Sequence, residues 1–462
     1  MFGSGRAILT LRDSYRRDLR AVREATDFKF VRFHAILHDE IGIYDEDKRG
    51  NSIYNFSYVD QIYDGLLGNG VRPFVELSFM PRKLASRKVV HSFKYHPIVA
   101  PPRDYAKWDA MISAFAAHVI ERYGIDEVAQ WYFEVWNEPN LDFWAGTPAQ
   151  ATYWTLYDHT ARALKKANAR LRVGGPSTAQ AAWVDAFIRH AADKNVPLDF
   201  VSTHVYANDK SQDVFATHEV ISRQEMVCRA AKKVRDEVSS SRRPGLPIIW
   251  SEYNATYFNE PKITDSLFMG PWLADTVRRC DGLADMMSYW TFSDVFEEQG
   301  VVRRPFYGGF GLIAAGGIPK PAFNAFKMLH QLGEERLEVA SEHALVTRRA
   351  DGSLVIALWN YVAPGAIGVP TTILLRLPHE GRSARVLRLD ADHGDAGGEY
   401  ARMGSPRYPT RAQLDALVKA SSLPAPEDLP IVGERVSVTL PPNGLATVEV
   451  SPLTPRLAPH PQ

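Results

Sequence analysis

Cysteine is nearly absent from this chain: its 462 residues contain two, Cys228 and Cys280. Neither sits in a CxxC or beside a histidine-rich run, so neither a disulfide framework nor a thiolate metal site is expected. A charge excess is absent too. The 54 basic residues are balanced by 54 acidic ones, which gives no electrostatic reason to expect a nucleic-acid or anionic-membrane partner. No apolar run is long enough to span a bilayer. Residues 1–6 (MFGSGR) lack a basic segment followed by an apolar stretch. A cytoplasmic location is therefore expected, unless an upstream segment has been trimmed. No GxGxxG opens a helix after the first strand, which removes the dinucleotide-binding reading.

What is present is an alternation of short apolar strands and amphipathic helices from Gly3 to about Leu332. Strands are expected at Gly5–Leu11, Phe28–His34, Pro73–Phe79, Trp131–Trp136, Arg172–Pro176, Asp199–Tyr206, Pro247–Tyr253 and Met286–Phe292, with helical crossovers between them. Eight such units argue for a closed (β/α)8 barrel. Beyond Pro321 the rhythm changes to short strands separated by Gly, Pro and Asp, which reads as a small β-sandwich. The expected division is a barrel over 1–333 and an accessory β-sandwich over 334–462. One short helix is expected within Glu380–Pro430, and a loose tail from Leu453 to Gln462.

The chemistry collects at the strand ends, which converge on one face of a barrel. Trp136-Asn137-Glu138-Pro139 turns from apolar to polar within two residues, and Pro139 stops both strand and helix. Trp250-Ser251-Glu252-Tyr253-Asn254 repeats the design three strands later. The other strand ends carry His34, His204, Tyr206 and Trp290, with Glu297 and Glu298 just beyond. Two facing carboxylates without metal-ligand spacing suit glycoside hydrolysis, in which one carboxyl donates a proton and the other attacks the anomeric carbon. Strands four and seven lie nearly across the barrel, so Glu138 and Glu252 are expected at roughly 5 Å, the retaining distance. For Asn137 and Glu138 both to face inward, the fourth strand needs a bulge at its end. Asn137 would then bond the sugar 2-OH, Tyr206 or His204 would steady Glu252, and Trp290 would wall the ring.

Trp136–Asn140, Ser202–Tyr206, Ser251–Asn254 and Ser288–Glu298 (SYWTFSDVFEE) together resemble the signature segments of glycoside hydrolase family 39. Arg32-Phe33-His34, Phe79-Met80-Pro81, Phe306–Leu312 and Ile318–Pro321 add to the match. The likeness runs from Gly3 to about Val450 and is nearest to bacterial β-xylosidases, with α-L-iduronidases as the other branch. It implies Glu138 as acid/base and Glu252 as nucleophile, in a retaining, exo-acting β-D-xylosidase that releases xylose from xylooligosaccharides or aryl xylosides. The expected substrate-binding set is His34, Asn137, His204, Tyr206, Tyr253, Trp290, Glu297 and Glu298. No cofactor or metal is expected. The expected assembly is a monomer, with an oligomer left open. The competing readings are an α-L-arabinosidase or uronidase on the same scaffold, a catalytically silent sugar-binding barrel, and a metal-dependent barrel using His34, His38 and His204. Arg303 and Arg304 are the counter-evidence, because a uronate needs a cation, but they follow Gly300 and precede Pro305 in a turn and are read as loop residues paired with nearby acids.

Overall fold

The computed structural model describes residues 1–377 and 383–451. The chain forms two compact units: the first comprises Met1–Tyr257, Cys280–Arg303 and Ile313–Gly317, the second Phe258–Arg279, Arg304–Leu312 and Ile318–Gln462.

The first unit is built on a closed barrel of eight parallel strands. In chain order they are β1 (Phe2–Gly3), β2 (Phe30–Phe33), β3 (Arg72–Leu77), β4 (Tyr132–Val135), β5 (Arg172–Thr178), β6 (Phe200–Tyr206), β7 (Ile248–Asn254) and β8 (Met286–Tyr289). Each strand pairs with its sequence neighbours, and β1 closes on β8 through Phe2 and Tyr289. The (β/α)8 expectation is met, including helices Tyr105–Tyr123 and Ala149–Ala167 at the expected bounds.

Two-residue alternation along the strands stacks the barrel interior in layers. Phe74, Phe200 and Ile249 plug one end, with Phe30, Tyr132 and Met286 packed on them. Two residues further along β2, β3 and β4 come Arg32, Glu76 and Glu134, each fully buried. Beyond them lies the face where the strands end. The apolar plug excludes water from below, so charges above it must satisfy one another.

Gly5–Leu11 is not the first strand. That strand is Phe2–Gly3, and Ala7–Leu11 winds into a 3-10 helix whose start is fixed by the Ala7 N–H donating to the His34 carbonyl, 2.9 Å. Ala7, Leu9 and Thr10 are the buried residues, a spacing that no alternating strand produces. A second correction concerns the cysteines. Cys228 and Cys280 are disulfide-bonded, with Cα atoms 4.9 Å apart. They lie 52 residues apart on separate elements, so local spacing carried no trace of the pairing.

In the second unit a six-stranded antiparallel sheet runs Glu335–Leu337, Ala344–Arg348, Leu354–Trp359, Leu445–Val450, Ala384–Leu389, Glu427–Leu429. A two-stranded sheet, Thr371–Arg376 with Arg435–Leu440, covers it. Leu354, Ile356, Val386 and Val448 of the larger sheet bury against Val436, Val438 and Leu440 of the smaller. The sandwich is thus as expected, but two helices, Ala396–Arg402 and Arg411–Ala420, stand where one was expected. The expectation of a loose tail from Leu453 falls outside the described residues. Among the described residues no helix is long and apolar enough to cross a membrane.

Candidate active site

Arg32 organises the strand-end face. It is the only charged residue within the apolar run Phe30–Phe33 of β2, and its side chain is fully buried. Nε donates to Glu134 Oε2 (2.6 Å), Nη1 to Glu252 Oε1 (2.7 Å), and Nη2 to Asn137 Oδ1 (2.9 Å). Nη2 also lies 2.7 Å from Glu76 Oε2. One planar guanidinium therefore ties β2 to β3, β4 and β7, and fixes the Glu252 carboxylate in direction as well as in charge. Tyr206 of β6 donates its hydroxyl to the other Glu252 oxygen, 2.7 Å.

The backbone delivers both carboxylates by breaking the strand pattern. On β7 the register slips by one residue against both neighbours between Trp250 and Tyr253, so Ser251 and Glu252 both turn inward. After β4, Trp136 (φ 73°) and Glu138 (φ 43°) adopt left-handed backbone, uncommon for such side chains. The Glu138 N–H is held by the Ser177 carbonyl (2.8 Å), and the Trp136 indole by the Phe143 carbonyl (2.8 Å). The bulge expected on β4 is thus a pair of left-handed residues just past its end, and Asn137 and Glu138 both reach the site.

His204 links the two acids. Its Nδ1 lies 2.9 Å from Glu138 Oε1 and 3.8 Å from Glu252 Oε1, while Nε2 meets Ser251 Oγ at 3.0 Å. One oxygen each of Glu138 and Glu252 and a nitrogen of His204 lie within 4.8 Å of one another. These three are the one buried donor set that could hold a metal ion among the described residues, though Arg32 already bonds the Glu252 oxygen. His38 takes no part, since its ring packs on Tyr95 and faces Glu40.

The electrostatics split the pair. Burial pushes the Glu138 carboxyl well above its ordinary range, and the charges of Glu252 and Asp209 push it further. Burial raises Glu252 as well, but Arg32, His34 and the Tyr206 hydroxyl pull it back. Of the two, Glu138 therefore holds a proton more readily. Burial, with Arg32 adding to it, drives His204 well below its ordinary value, so its ring is neutral.

The remaining expected residues divide. His34 Nδ1 meets Glu76 Oε2 at 2.7 Å, Nε2 lies 3.4 Å from Glu298 Oε1, and the ring packs at a tilt against Trp290, centroids 4.8 Å apart. Trp290 fits because Gly3 of β1 has no side chain; a Cβ there would lie 2.0 Å from the indole. Glu298 is buried, and burial followed by the nearby Glu252 and Glu138 lifts its carboxyl well above the ordinary range. Glu297 turns elsewhere, into a two-point pair with Arg12 (Nη2–Oε2 2.9 Å). Tyr253 points to the face of β7 opposite Glu252, edge-on to Tyr289 at 5.9 Å.

Arg32, Glu76 and Glu134 were missed as site residues, although a charge inside an apolar strand run is a readable signal. Phe93 was missed as well. It packs at a tilt near His34 (6.2 Å) and edge-on to Phe143 (5.3 Å) from the long loop after β3, whose irregular run HSFKYH has no period to read.

Comparison with known proteins agrees with this geometry. The family model "Glycosyl hydrolases family 39" matches residues 1–434. A β-xylosidase of Geobacillus stearothermophilus is 38% identical over 430 residues, covering 90% of this chain and 85% of that protein. A β-xylosidase of Caldicellulosiruptor saccharolyticus is 36% identical over 436 residues, covering 91% and 87%. The crystal structure of a monomeric β-xylosidase from Caulobacter crescentus superposes with a TM-score of 0.88 at 33% identity, covering 98% of this chain and 96% of that one. The chain belongs to glycosyl hydrolases family 39 and is a glycoside hydrolase.

Proposed function

We propose that the protein is a retaining, exo-acting β-D-xylosidase in which Glu252 is the nucleophile and Glu138 the acid/base. The observation that carries this is the asymmetric carboxylate pair: two buried acids within 4.8 Å, one bonded by Arg32 and Tyr206 and the other by neutral His204. That separation suits double displacement and leaves no room for the water that inversion places between the second carboxylate and the anomeric carbon. In the first step a Glu252 oxygen attacks the anomeric carbon while Glu138 gives its proton to the departing glycosidic oxygen, leaving a xylosyl ester on Glu252. In the second step Glu138 takes a proton from water, whose oxygen attacks the anomeric carbon and frees Glu252.

His204 supports both states of Glu138. Its Nδ1–H donates to Glu138 Oε1 and its Nε2 accepts from the Ser251 hydroxyl in both states, so the catalytic proton sits on the other Glu138 oxygen, from which it passes to the glycosidic oxygen and to which water later returns one. No residue has to move. His34, Trp290, Phe93 and Glu298 line the end that takes the terminal xylose, and Asn137, aimed by Arg32, faces its 2-OH.

The uronidase reading is disfavoured by charge. Arg32 is engaged by Glu134, Glu76, Glu252 and Asn137, and the acid at this end of the site is Glu298 beside His34. A uronate there finds Arg32 already committed, and Glu298, whose carboxyl burial lifts toward the protonated form, offers a hydrogen bond but no counter-ion. A 2-deoxy-2-fluoro xyloside with a good leaving group should inactivate the enzyme and leave its sugar on Glu252. Peptide mapping that finds the sugar on another residue removes the assignment, and a higher kcat/KM on a matched aryl iduronide or glucuronide removes the xylosidase reading.

The Caulobacter relative is described as monomeric, and a monomer is proposed here; light scattering on the eluted protein decides it. A cytoplasmic location is opposed by the Cys228–Cys280 bond, because such bonds persist mainly in oxidising compartments. Thiol trapping of the protein in its native host distinguishes the two: free thiols support the cytoplasm, a cystine does not.

A further inference from the structure

The end of β6 is braced by four hydrogen bonds, two of them within its own turn and two that tie it to β7 and the loop after β7. The Tyr206 N–H donates to Asp209 Oδ2 (2.8 Å), and the Asp209 N–H returns to the Tyr206 carbonyl (2.9 Å). The Ala207 N–H donates to the Asn254 carbonyl (2.9 Å), and the Tyr257 N–H donates to Asn208 Oδ1 (3.0 Å). This lattice sets the Tyr257 ring edge-on to Tyr206, centroids 6.0 Å apart at 84°. Tyr206 is the residue whose hydroxyl bonds Glu252. Tyr257 is nonetheless 40% exposed, whereas Tyr206 is buried. An aromatic ring is thus fixed one ring outward from the nucleophile, with a large part of its surface facing solvent.

Exposed apolar side chains also have a place in this unit. Val90, Leu141, Tyr257 and Val301 are each exposed, and each lies in a segment that follows a barrel strand, on the face where Glu138 and Glu252 sit. Tyr58 and Phe258 are exposed aromatics in such segments as well, but Tyr257 is the one whose ring packs against Tyr206, the partner of the nucleophile. Burying such a ring against the neighbouring elements would have been the default for stability, so its placement invites a ligand with a flat apolar face.

We propose that Tyr257 is the aglycone platform: the ring on which the leaving-group sugar, or an aryl aglycone, stacks while the terminal xylose occupies the inner pocket. The ligand class is a neutral pyranose or aromatic ring, since the platform supplies an apolar face and its half-buried neighbour Asn208 supplies an amide for hydroxyl groups. The proposal rests on the β-xylosidase reading above, and the two are separated by choice of substrate. β-D-Xylosyl fluoride has the same inner sugar but no aglycone ring; xylobiose has a sugar there.

The test compares Tyr257→Ala and Tyr257→Phe with the wild type on both substrates. Tyr257→Ala should lose about five- to tenfold in kcat/KM on xylobiose, the range of one lost stacking contact, and stay within about twofold on the fluoride. Tyr257→Phe should keep xylobiose turnover, because the ring remains. A Tyr257→Ala enzyme equally weakened on the fluoride would make the residue structural and overturn the platform. An unchanged kcat/KM on xylobiose would overturn it as well. A wild type inert on the fluoride would instead sink the xylosidase reading, and the platform with it.

Discussion

Glu138 and Glu252 are the same amino acid buried at the same depth of one barrel, and they differ only in what touches them. Arg32 and Tyr206 bond Glu252 through charge and a hydroxyl; Glu138 meets a neutral histidine and two neighbouring acids. Removing the Glu138 carboxyl should therefore have a leaving-group signature. Glu138→Ala should cut kcat/KM on xylobiose by about 10²–10⁴, the usual worth of general acid catalysis, because an alkoxide needs the proton. Aryl xylosides with acidic phenols should keep their first step, and azide should accelerate the second. Equal loss on both substrates without azide rescue would give Glu138 another role. Both acids were legible in the sequence because each ends an apolar strand and precedes or follows Asn. Glu297 shows the limit of that reasoning: it is adjacent to Glu298, yet its left-handed backbone (φ 58°) sends it to Arg12. Nothing in a pair of neighbouring acids says which one turns in.

At the scale of elements, the eight strands were readable because their β-branched and aromatic runs are separated by helical periods. The breaks in those strands were not. The slip on β7 and the left-handed pair after β4 depend on partners such as Ser177 and on neighbours' registers, which local pattern does not encode. The disulfide is a similar case. It joins helix Met226–Ser239 to Cys280, the last residue of helix Met269–Cys280, closing a 52-residue separation that contains β7 and Glu252. Closing a loop of that length is worth about 4 kcal/mol in the chain-entropy account. Cys228→Ser with Cys280→Ser should lower the urea midpoint accordingly, and a reductant should lower that of the wild type alone. A midpoint unmoved by either change would mean that the cystine does not constrain the unfolded chain.

For the whole molecule, charge balances overall but not at the barrel mouth. The chain carries 54 acidic and 54 basic residues, yet Glu76, Glu134, Glu138, Glu252, Glu298 and Asp209 are buried around one buried arginine, Arg32. Arg32 holds Glu76 below its ordinary range, but Glu138, Glu298 and Asp209 rise, chiefly through burial. Asp209 moves from 3.8 to about 7. A carboxyl raised on folding is protonated in both states at pH 3, so it costs nothing there. As the pH climbs past 3.8 the unfolded chain ionises first, and the folded state falls behind until about pH 7, above which the penalty is constant. For Asp209 that penalty is on the order of 4 kcal/mol. Asp209→Asn keeps an oxygen for the Tyr206 N–H but removes the charge. It should raise the Tm at pH 8, leave it nearly unchanged at pH 4, and move the upper limb of the kcat/KM profile to lower pH, because one of the charges lifting Glu138 is gone. The limb of that profile reflects Glu138 with Glu252, Arg32 and Glu76 also facing it, so the shift should be partial. A Tm lowered at both pH values would show that the Asp209 side chain, protonated at pH 4 and ionised at pH 8, holds the turn better than an amide does by more than its ionised burial costs. The surplus of buried acid would then have to be balanced elsewhere in the barrel.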